Sequence, residues 1–142
     1  MIGPDPYLLQ RFIDAQAPVW GAVVSQLQAG RKTSHWMWFV FPQLRALGHS
    51  ARAQFYGLSG HEEALAYLAH PLLGERLRAG TAMLASRAGE LTPRQMLGAV
   101  DAQKLCSCLT LFGSLGGDDL FGQTLDALYG GEHDPRTLAL LA

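Results

Sequence analysis

The side chains best suited to chemistry are concentrated in one segment of the chain, which runs from Gly30 to Leu47. It opens with two cations, two hydroxyls and an imidazole, in the order Arg31, Lys32, Thr33, Ser34, His35. If a helix begins here, its free N–H groups and partial positive charge would favour an anion. The cations and hydroxyls beside them would then form a cradle for phosphate or carboxylate. A solvated basic turn that leads into an ordinary helix cap is the simpler alternative.

His35 is the candidate for proton transfer, because an imidazole titrates near neutral pH and can both donate and accept hydrogen bonds. A half-buried histidine that bonds a backbone carbonyl explains the residue equally well. The chain has five histidines and two cysteines, and none of them stands at a spacing typical of a metal site. We therefore expect no metal and no cofactor.

Six large apolar residues follow His35 without interruption, and they include two of the three tryptophans. Trp36 and Trp38 could stack on a planar ring such as a nucleobase, and Gln43 could bond the edge of that ring. The same aromatic side chains could instead form the centre of the core. A short helix through the run would do some of both, because it would bury most of the rings and leave one or two at a cleft.

A second group of polar side chains lies on a helix predicted late in the chain. Polar residues recur there at every third position, and this spacing drifts so slowly around a helix that they share one face. They are Asp101, Lys104, Ser107 and Thr110. In a site, Asp101 would act as acid or base, Lys104 would bind an anion, and Ser107 would help to position it. The alternative is a capping aspartate with a weak ion pair to Lys104.

Helices must position these segments, because the sequence carries helix signals throughout and no alternation typical of strands. Capping residues and prolines indicate helix starts at Asp5-Pro6, Pro18, Ser59 to Glu62, Thr92-Pro93 and Asp134-Pro135. The pattern predicts an all-α fold, a compact single-domain bundle of residues 1–142 with about seven to eight helices, several of them short. Thr33 or Ser34 would cap the helix through the aromatic run, Asp101 would cap the later helix, and Gly30 would end an earlier one.

The composition bears on the class of protein. Of the 142 residues, 49% are hydrophobic and 16% are charged, and the formal net charge is -1. This balance favours an ordered domain, gives no strong signal for nucleic-acid binding and includes no apolar run long enough for a membrane span. We expect no signal peptide, and Cys106 and Cys108 are not placed to pair with each other on a helix. We therefore expect a cytoplasmic protein.

These residues fall in blocks that resemble a bacterial family catalogued as domain of unknown function 1810. In this chain the blocks are Ala15-Gln16, Gly30 to Gln43, Tyr67 to Gly74, and Lys104 to Phe112. The resemblance covers most of the chain and implies a compact all-helical fold. The chain departs from the usual pattern of the family at Cys106 and Cys108, where the family has arginine and serine.

A fainter resemblance is to the YbiA-like proteins, which are proposed to bind NAD or ADP-ribose and to hydrolyse N-glycosidic bonds. The shared outline is a Ser-x-His-aromatic segment, a helix from Ser59 to Ala64, and a late helix that contains a lysine. Those enzymes have an acidic residue before the histidine, where this chain has Ser34.

Two functional hypotheses follow. In the first, the protein binds a phosphorylated nucleotide-like ligand, ADP-ribose or a related N-glycoside, and as an enzyme it would hydrolyse an N-glycosidic bond. The residues assigned to this site are Arg31, Lys32 and Lys104 for phosphate, His35 and Asp101 for proton transfer, Trp36 or Trp38 for the base, and Ser34, Gln43 and Ser107 as further ligand contacts. In the second hypothesis, the aromatic block from Trp36 to Phe41 docks a protein partner and catalyses nothing. The first hypothesis requires the segments of Lys32 and Asp101 to share one hollow.

Overall fold

The computed structural model describes residues 4–142, which form ten α-helices, one 3-10 turn and no β-strand. The helices are α1 (Gln10–Gln16), α2 (Trp20–Ala29), α3 (Met37–Val40), α4 (Ala51–Tyr56), α5 (His61–Ala69), α6 (Pro71–Ala85), α7 (Pro93–Leu97), α8 (Ala99–Gly113), α9 (Leu120–Tyr129) and α10 (Pro135–Leu141), and the 3-10 turn is Arg45–Leu47. The all-α prediction is confirmed, but the predicted seven to eight helices are fewer than the ten observed. None of the helices in this part of the chain has the length and apolar character needed to cross a membrane.

Helix α8 lies at the centre of the hydrophobic core. Leu105, Leu109 and Leu111 are fully buried on it, and the helix packs against α5, α7, α9 and α10. Helix α6 packs against α2, α5 and α9 and extends the same core. Because α8 is covered on all sides along most of its length, only its first turns, with Asp101 and Lys104, reach the surface.

Several predicted helix ends are confirmed. Gly30 ends α2 in the left-handed conformation, with φ of 71°. Thr92 and Gln95 form the predicted capping box at the start of α7. The carboxylate of Asp134 accepts a hydrogen bond from the backbone N–H of Thr137 and caps α10. Each of these signals is local, so the sequence alone was enough to predict it.

The predicted capping box of Ser59 and Glu62 is wrong in both of its residues. Gly60, not Ser59, is the N-cap of α5, and Glu63 rather than Glu62 accepts the hydrogen bond from the Ser59 backbone, at 2.8 Å. Glu63 is drawn inward because it pairs with Arg11 of α1, also at 2.8 Å. A distant cation therefore decides which of two neighbouring glutamates turns toward the backbone.

The first helix begins later than predicted. Helix α1 starts at Gln10, but Asp5 still serves its N-terminus, since its carboxylate accepts hydrogen bonds from the backbone N–H groups of Leu9 and Gln10. These donors hold the pKa of Asp5 below its ordinary value. Leu8 makes the intervening turn with a positive φ of 54°.

Two further predicted caps and part of the predicted polar face are corrected. Neither Thr33 nor Ser34 caps α3, and the N-cap of α8 is Gly98, which leaves Asp101 within the first turn. Ser107 is buried and donates its hydroxyl to Asp134 at 3.0 Å. The segment before α10 covers this side of α8, so the polar face is limited to Asp101 and Lys104.

Candidate anion-binding surface

Gln26, in the last turns of α2, holds the loop that carries His35. Its side-chain oxygen accepts three hydrogen bonds, from the backbone of Thr33 at 2.9 Å, the backbone of Ser34 at 3.2 Å and the indole N–H of Trp36 at 2.8 Å. Its amide nitrogen donates to the Ser34 hydroxyl at 2.7 Å. The backbone N–H groups of Thr33 and Ser34 are therefore already bonded and not free for an anion, and these bonds fix the shape of the loop.

A backbone hydrogen bond then brings the loop to the start of α8. The N–H of Lys32 donates to the carbonyl of Met96 on α7 at 2.8 Å. From this position the Lys32 ammonium reaches Asp101, with Nζ 2.7 Å from Oδ2. Lys104 approaches the other oxygen of the same carboxylate more loosely, with Nζ 3.8 Å from Oδ1. The two segments that the first hypothesis required to share a hollow are thus in direct contact.

Trp38 stands at the centre of a cationic surface. Lys104 Nζ lies 4.9 Å from the centre of its ring and Arg52 Cζ lies 5.2 Å from it. The imidazole of His35 lies 6.5 Å away, between centroids, and is tilted by 39°. Trp38 is half-buried, whereas Arg52 and His35 are exposed. Cations in such positions are attracted by the ring quadrupole and stay available to an incoming anion.

The orientation of Trp38 is fixed from behind by a buried polar group. The carbonyl of Phe39, the next residue on α3, accepts hydrogen bonds from the Gln16 amide at 2.7 Å and the Tyr67 hydroxyl at 3.3 Å. Tyr67 is fully buried, and burial raises the pKa of its phenol far above the ordinary value. This network, in which Arg76 also donates to the Gln16 oxygen at 3.2 Å, ties α3 to α1 and α5 and leaves Trp38 directed outward.

The other predicted site residues lie in three different environments. Trp36 is 1% exposed and its indole N–H is bonded to Gln26, so its ring offers no face to a ligand. Ser107 is likewise buried away from this surface. Arg31 and Ser34 are exposed on the loop, and Gln43 is half-buried. Neither Trp36 nor Ser107 can contact a ligand in this arrangement.

The contact between the two segments leaves almost no enclosed space. The crevice beside this contact, between α3 and α4, has a volume of about 10 Å³ and is lined in part by Trp38, Gln43, Tyr56 and Lys104. That is room for about one water molecule. The hollow that the first hypothesis required is therefore not formed here, and a ligand as large as a nucleotide would lie on this surface instead.

Two residues were not predicted from the sequence: Arg52, which belongs to this surface, and Gln26, which holds the loop behind it. Gln26 is an ordinary helix-surface residue in the sequence, and only the reversal of the chain at Gly30 brings the loop back over it. Arg52 lies in the first turn of α4, and its one signal was a cation shortly after the aromatic run. We name Lys32, His35, Trp38, Arg52, Asp101 and Lys104 together the Trp38 surface.

The Trp38 surface combines three permanent cations with one carboxylate and a partly accessible aromatic ring. Among residues 4–142, no cluster of three or more histidine, cysteine or acidic side chains could hold a metal ion. The chemistry that this arrangement suits is recognition of an anion next to a planar group.

Comparisons with known proteins agree with the first resemblance. The family model described as "Protein of unknown function (DUF1810)" matches residues 6–141. The crystal structure of the conserved hypothetical protein Rv1873 from Mycobacterium tuberculosis superposes with a TM-score of 0.93 at 49% sequence identity, over 96% of this chain and 98% of that chain. No curated protein matches. The resemblance to YbiA-like proteins gains no support from these comparisons.

Proposed function

This chain belongs to the DUF1810 family, whose function is unknown, and we propose that it binds a phosphorylated, nucleotide-like ligand on the Trp38 surface. The observation that carries the proposal is the placement of Arg52 and Lys104 within about 5 Å of the ring of Trp38. An aromatic face with cations around it matches a ligand that joins a planar base to phosphate.

Different parts of the ligand contact the exposed cations and the ring of Trp38. Arg52 and Lys104 bind the phosphate oxygens, because both end in donors and neither is held by a close ion pair. The imidazole of His35 supplies a further donor. The base lies against Trp38, where stacking on an aromatic ring contributes about 1–3 kcal/mol per base. Since Arg52 is exposed, its guanidinium moves from the ring to the phosphate at little cost.

Lys32 has a different part in this arrangement. Its side chain is 8% exposed and is paired with Asp101 at 2.7 Å. It therefore anchors the carboxylate instead of reaching the ligand itself. Arg31, exposed on the same loop, adds to the positive potential around the phosphate.

Hydrolysis of an N-glycosidic bond is a separable part of the proposal. In such a reaction a carboxylate stabilises the oxocarbenium-like transition state and a proton donor assists the leaving base. Asp101 would be the carboxylate and His35 the donor, with ADP-ribose or a related N-glycoside as substrate. Incubation with ADP-ribose, NAD and AMP, followed by chromatography for released base, tests this part independently of binding.

The interaction-module alternative finds less support in the structure. Trp36, Met37 and Phe41 are each 1% exposed, so the aromatic block presents no continuous apolar patch to a protein partner. The block serves mainly as core, with Trp38 as its most chemically active member.

The binding proposal is tested with neutral substitutions of the two cations and a matched control. R52Q and K104Q each remove one cation from the ring of Trp38. The control, R78Q, removes an arginine of α6 whose side chain is 44% exposed and ion-paired with Asp118. We expect ADP-ribose to raise the melting temperature of the wild type and of R78Q. We expect each of the two test variants to bind at least about tenfold more weakly by calorimetry, since one charge-assisted hydrogen bond contributes about 1.5–3 kcal/mol.

Tryptophan fluorescence gives the second measurement. Of the three tryptophans, Trp36 is buried, and stacking of a base should quench Trp38. The quench should be absent in W38F. If R52Q and K104Q bind ADP-ribose and AMP as the wild type does, or if the wild type binds neither, the assignment of the Trp38 surface is wrong.

A further inference from the structure

Asp101 makes two unequal contacts. The bond to Lys32 is short, 2.7 Å, and both partners are largely covered, with side-chain exposures of 8% and 18%. The contact to Lys104 is longer, 3.8 Å, and the lysine is 22% exposed. The carboxylate is therefore fixed by one lysine and only approached by the other.

Lys104 is shared between two neighbours of the surface. Its ammonium lies 3.8 Å from Asp101 Oδ1 and 4.9 Å from the centre of the Trp38 ring. Neither contact is a close hydrogen bond, so Lys104 is more easily transferred to another anion than Lys32 is. A phosphate that arrives at Trp38 must take this lysine from the carboxylate.

We infer that Asp101 is an internal counterion that competes with the phosphate of the ligand and thereby limits the affinity of the Trp38 surface for anions. This inference depends on the proposed function, because it concerns the same ligand and the same surface. Lys32 acts as the positioning residue, since it holds the competing carboxylate beside Lys104. Asp101 thus determines specificity by the charge of the ligand, whatever its part in catalysis.

The inference predicts an increase in affinity where loss of a direct contact would produce a decrease. In D101N the side chain keeps its shape and loses its charge, so Lys104 no longer has a competing carboxylate beside it. At an effective dielectric constant of about 40, removal of a like charge roughly 6 Å from the phosphate strengthens binding by about tenfold. The gain should grow with ligand charge and be absent for a neutral nucleoside.

The experiment compares the wild type, D101N and D118N by calorimetry with three probes: pyrophosphate, ADP-ribose and adenosine. D118N is the matched control, because Asp118 also pairs with a cation at 2.7 Å, but it lies in the loop before α9 and its partner Arg78 lies on α6. We expect D101N to bind pyrophosphate and ADP-ribose about tenfold more tightly than the wild type does. Its affinity for adenosine should equal that of the wild type, and D118N should match the wild type with all three probes. An unchanged or weaker affinity of D101N for pyrophosphate overturns the inference while the proposed function stands. Absence of binding by the wild type itself would instead identify the proposed function as the failure.

A measurement on the wild type keeps the test independent of how D101N folds. When aspartate carboxyls are labelled with ¹³C, saturation with pyrophosphate should move the Asp101 resonance, because the carboxylate loses Lys104 as the phosphate gains it. The Asp118 resonance should stay in place. An Asp101 resonance that does not move at saturation would show that no exchange of partners takes place.

Discussion

Replacement of Gln26 by alanine should destabilise the protein although the residue is only half-buried and uncharged. Its side-chain oxygen and nitrogen together make four hydrogen bonds to the loop from Thr33 to Trp36, between 2.7 and 3.2 Å. Alanine is at least as favourable as glutamine within a helix, so the change leaves α2 itself intact. The effect therefore reports the tie between the helix and the loop.

The magnitude follows from what each lost partner can do instead. The indole N–H of Trp36 lies in a residue that is 1% exposed, and a buried donor without a partner costs about 1–3 kcal/mol. The backbone groups of Thr33 and Ser34 belong to exposed residues and can turn to water, so their loss adds about 1 kcal/mol in all. We expect the free energy of unfolding to fall by about 2–4 kcal/mol. At roughly 3 °C per kcal/mol for a chain of this size, the melting temperature falls by roughly 6–12 °C.

Urea unfolding followed by circular dichroism measures this difference, with Q123A as the control. Gln123 is exposed on α9, so its replacement should change the free energy of unfolding by less than about 0.5 kcal/mol. If Q26A unfolds within that margin of Q123A, Gln26 does not hold the loop, and the reasoning that fixes His35 in place is refuted.

Two further predictions concern glycines and acid stability. G74A should destabilise the protein by several kcal/mol, because a Cβ there would lie 2.1 Å from a backbone carbonyl oxygen. G21A should stabilise it by up to about 1 kcal/mol, because a Cβ at that position meets nothing within 4 Å. Equal melting temperatures of the two variants would contradict the close packing of α5 on α6. D118N should be less stable than the wild type by about 0.5 kcal/mol at pH 7, because an arginine side chain holds the pKa of Asp118 below its ordinary value of 3.8. That contribution is complete above pH 3.8 and is lost as pH falls through the lower pKa of the folded state, so urea unfolding curves of the two proteins should converge in strong acid and not above pH 4.

The parts of the fold that could be predicted from the sequence are those with local causes. The box of Thr92 and Gln95 needs only residues three apart, and Gly30 needs only its own freedom to adopt a positive φ. The burial of Ser107 could not be predicted in this way. It depends on Asp134, which is 27 residues away, and a hydroxyl on a helix has the same local pattern whether solvent or another segment covers it.

The candidate site was predictable in its membership more than in its roles. His35, Trp38 and Lys104, which the sequence analysis named as candidates, lie close together on one surface. Trp36 was an equal candidate for the ligand, and no local feature separates it from Trp38, two residues on. What separates them is Gln26, whose side-chain oxygen accepts a hydrogen bond from the indole N–H of Trp36 and holds that ring in the core.

The role of Asp101 shows how one tertiary contact changes the chemistry of a residue. As the N-cap of α8, its carboxylate would bond the backbone and be lost to a ligand. The N-cap instead lies three residues earlier, at Gly98, whose φ of 87° few other residues adopt. Met96, just before that turn, is tied to the loop by the N–H of Lys32. This bond brings Lys32 to Asp101, so a carboxylate that does not serve as the helix cap is given a cation. A negative charge in the first turn is favoured by the helix dipole as well, which makes the position suitable for a carboxylate that must stay charged beside an incoming phosphate.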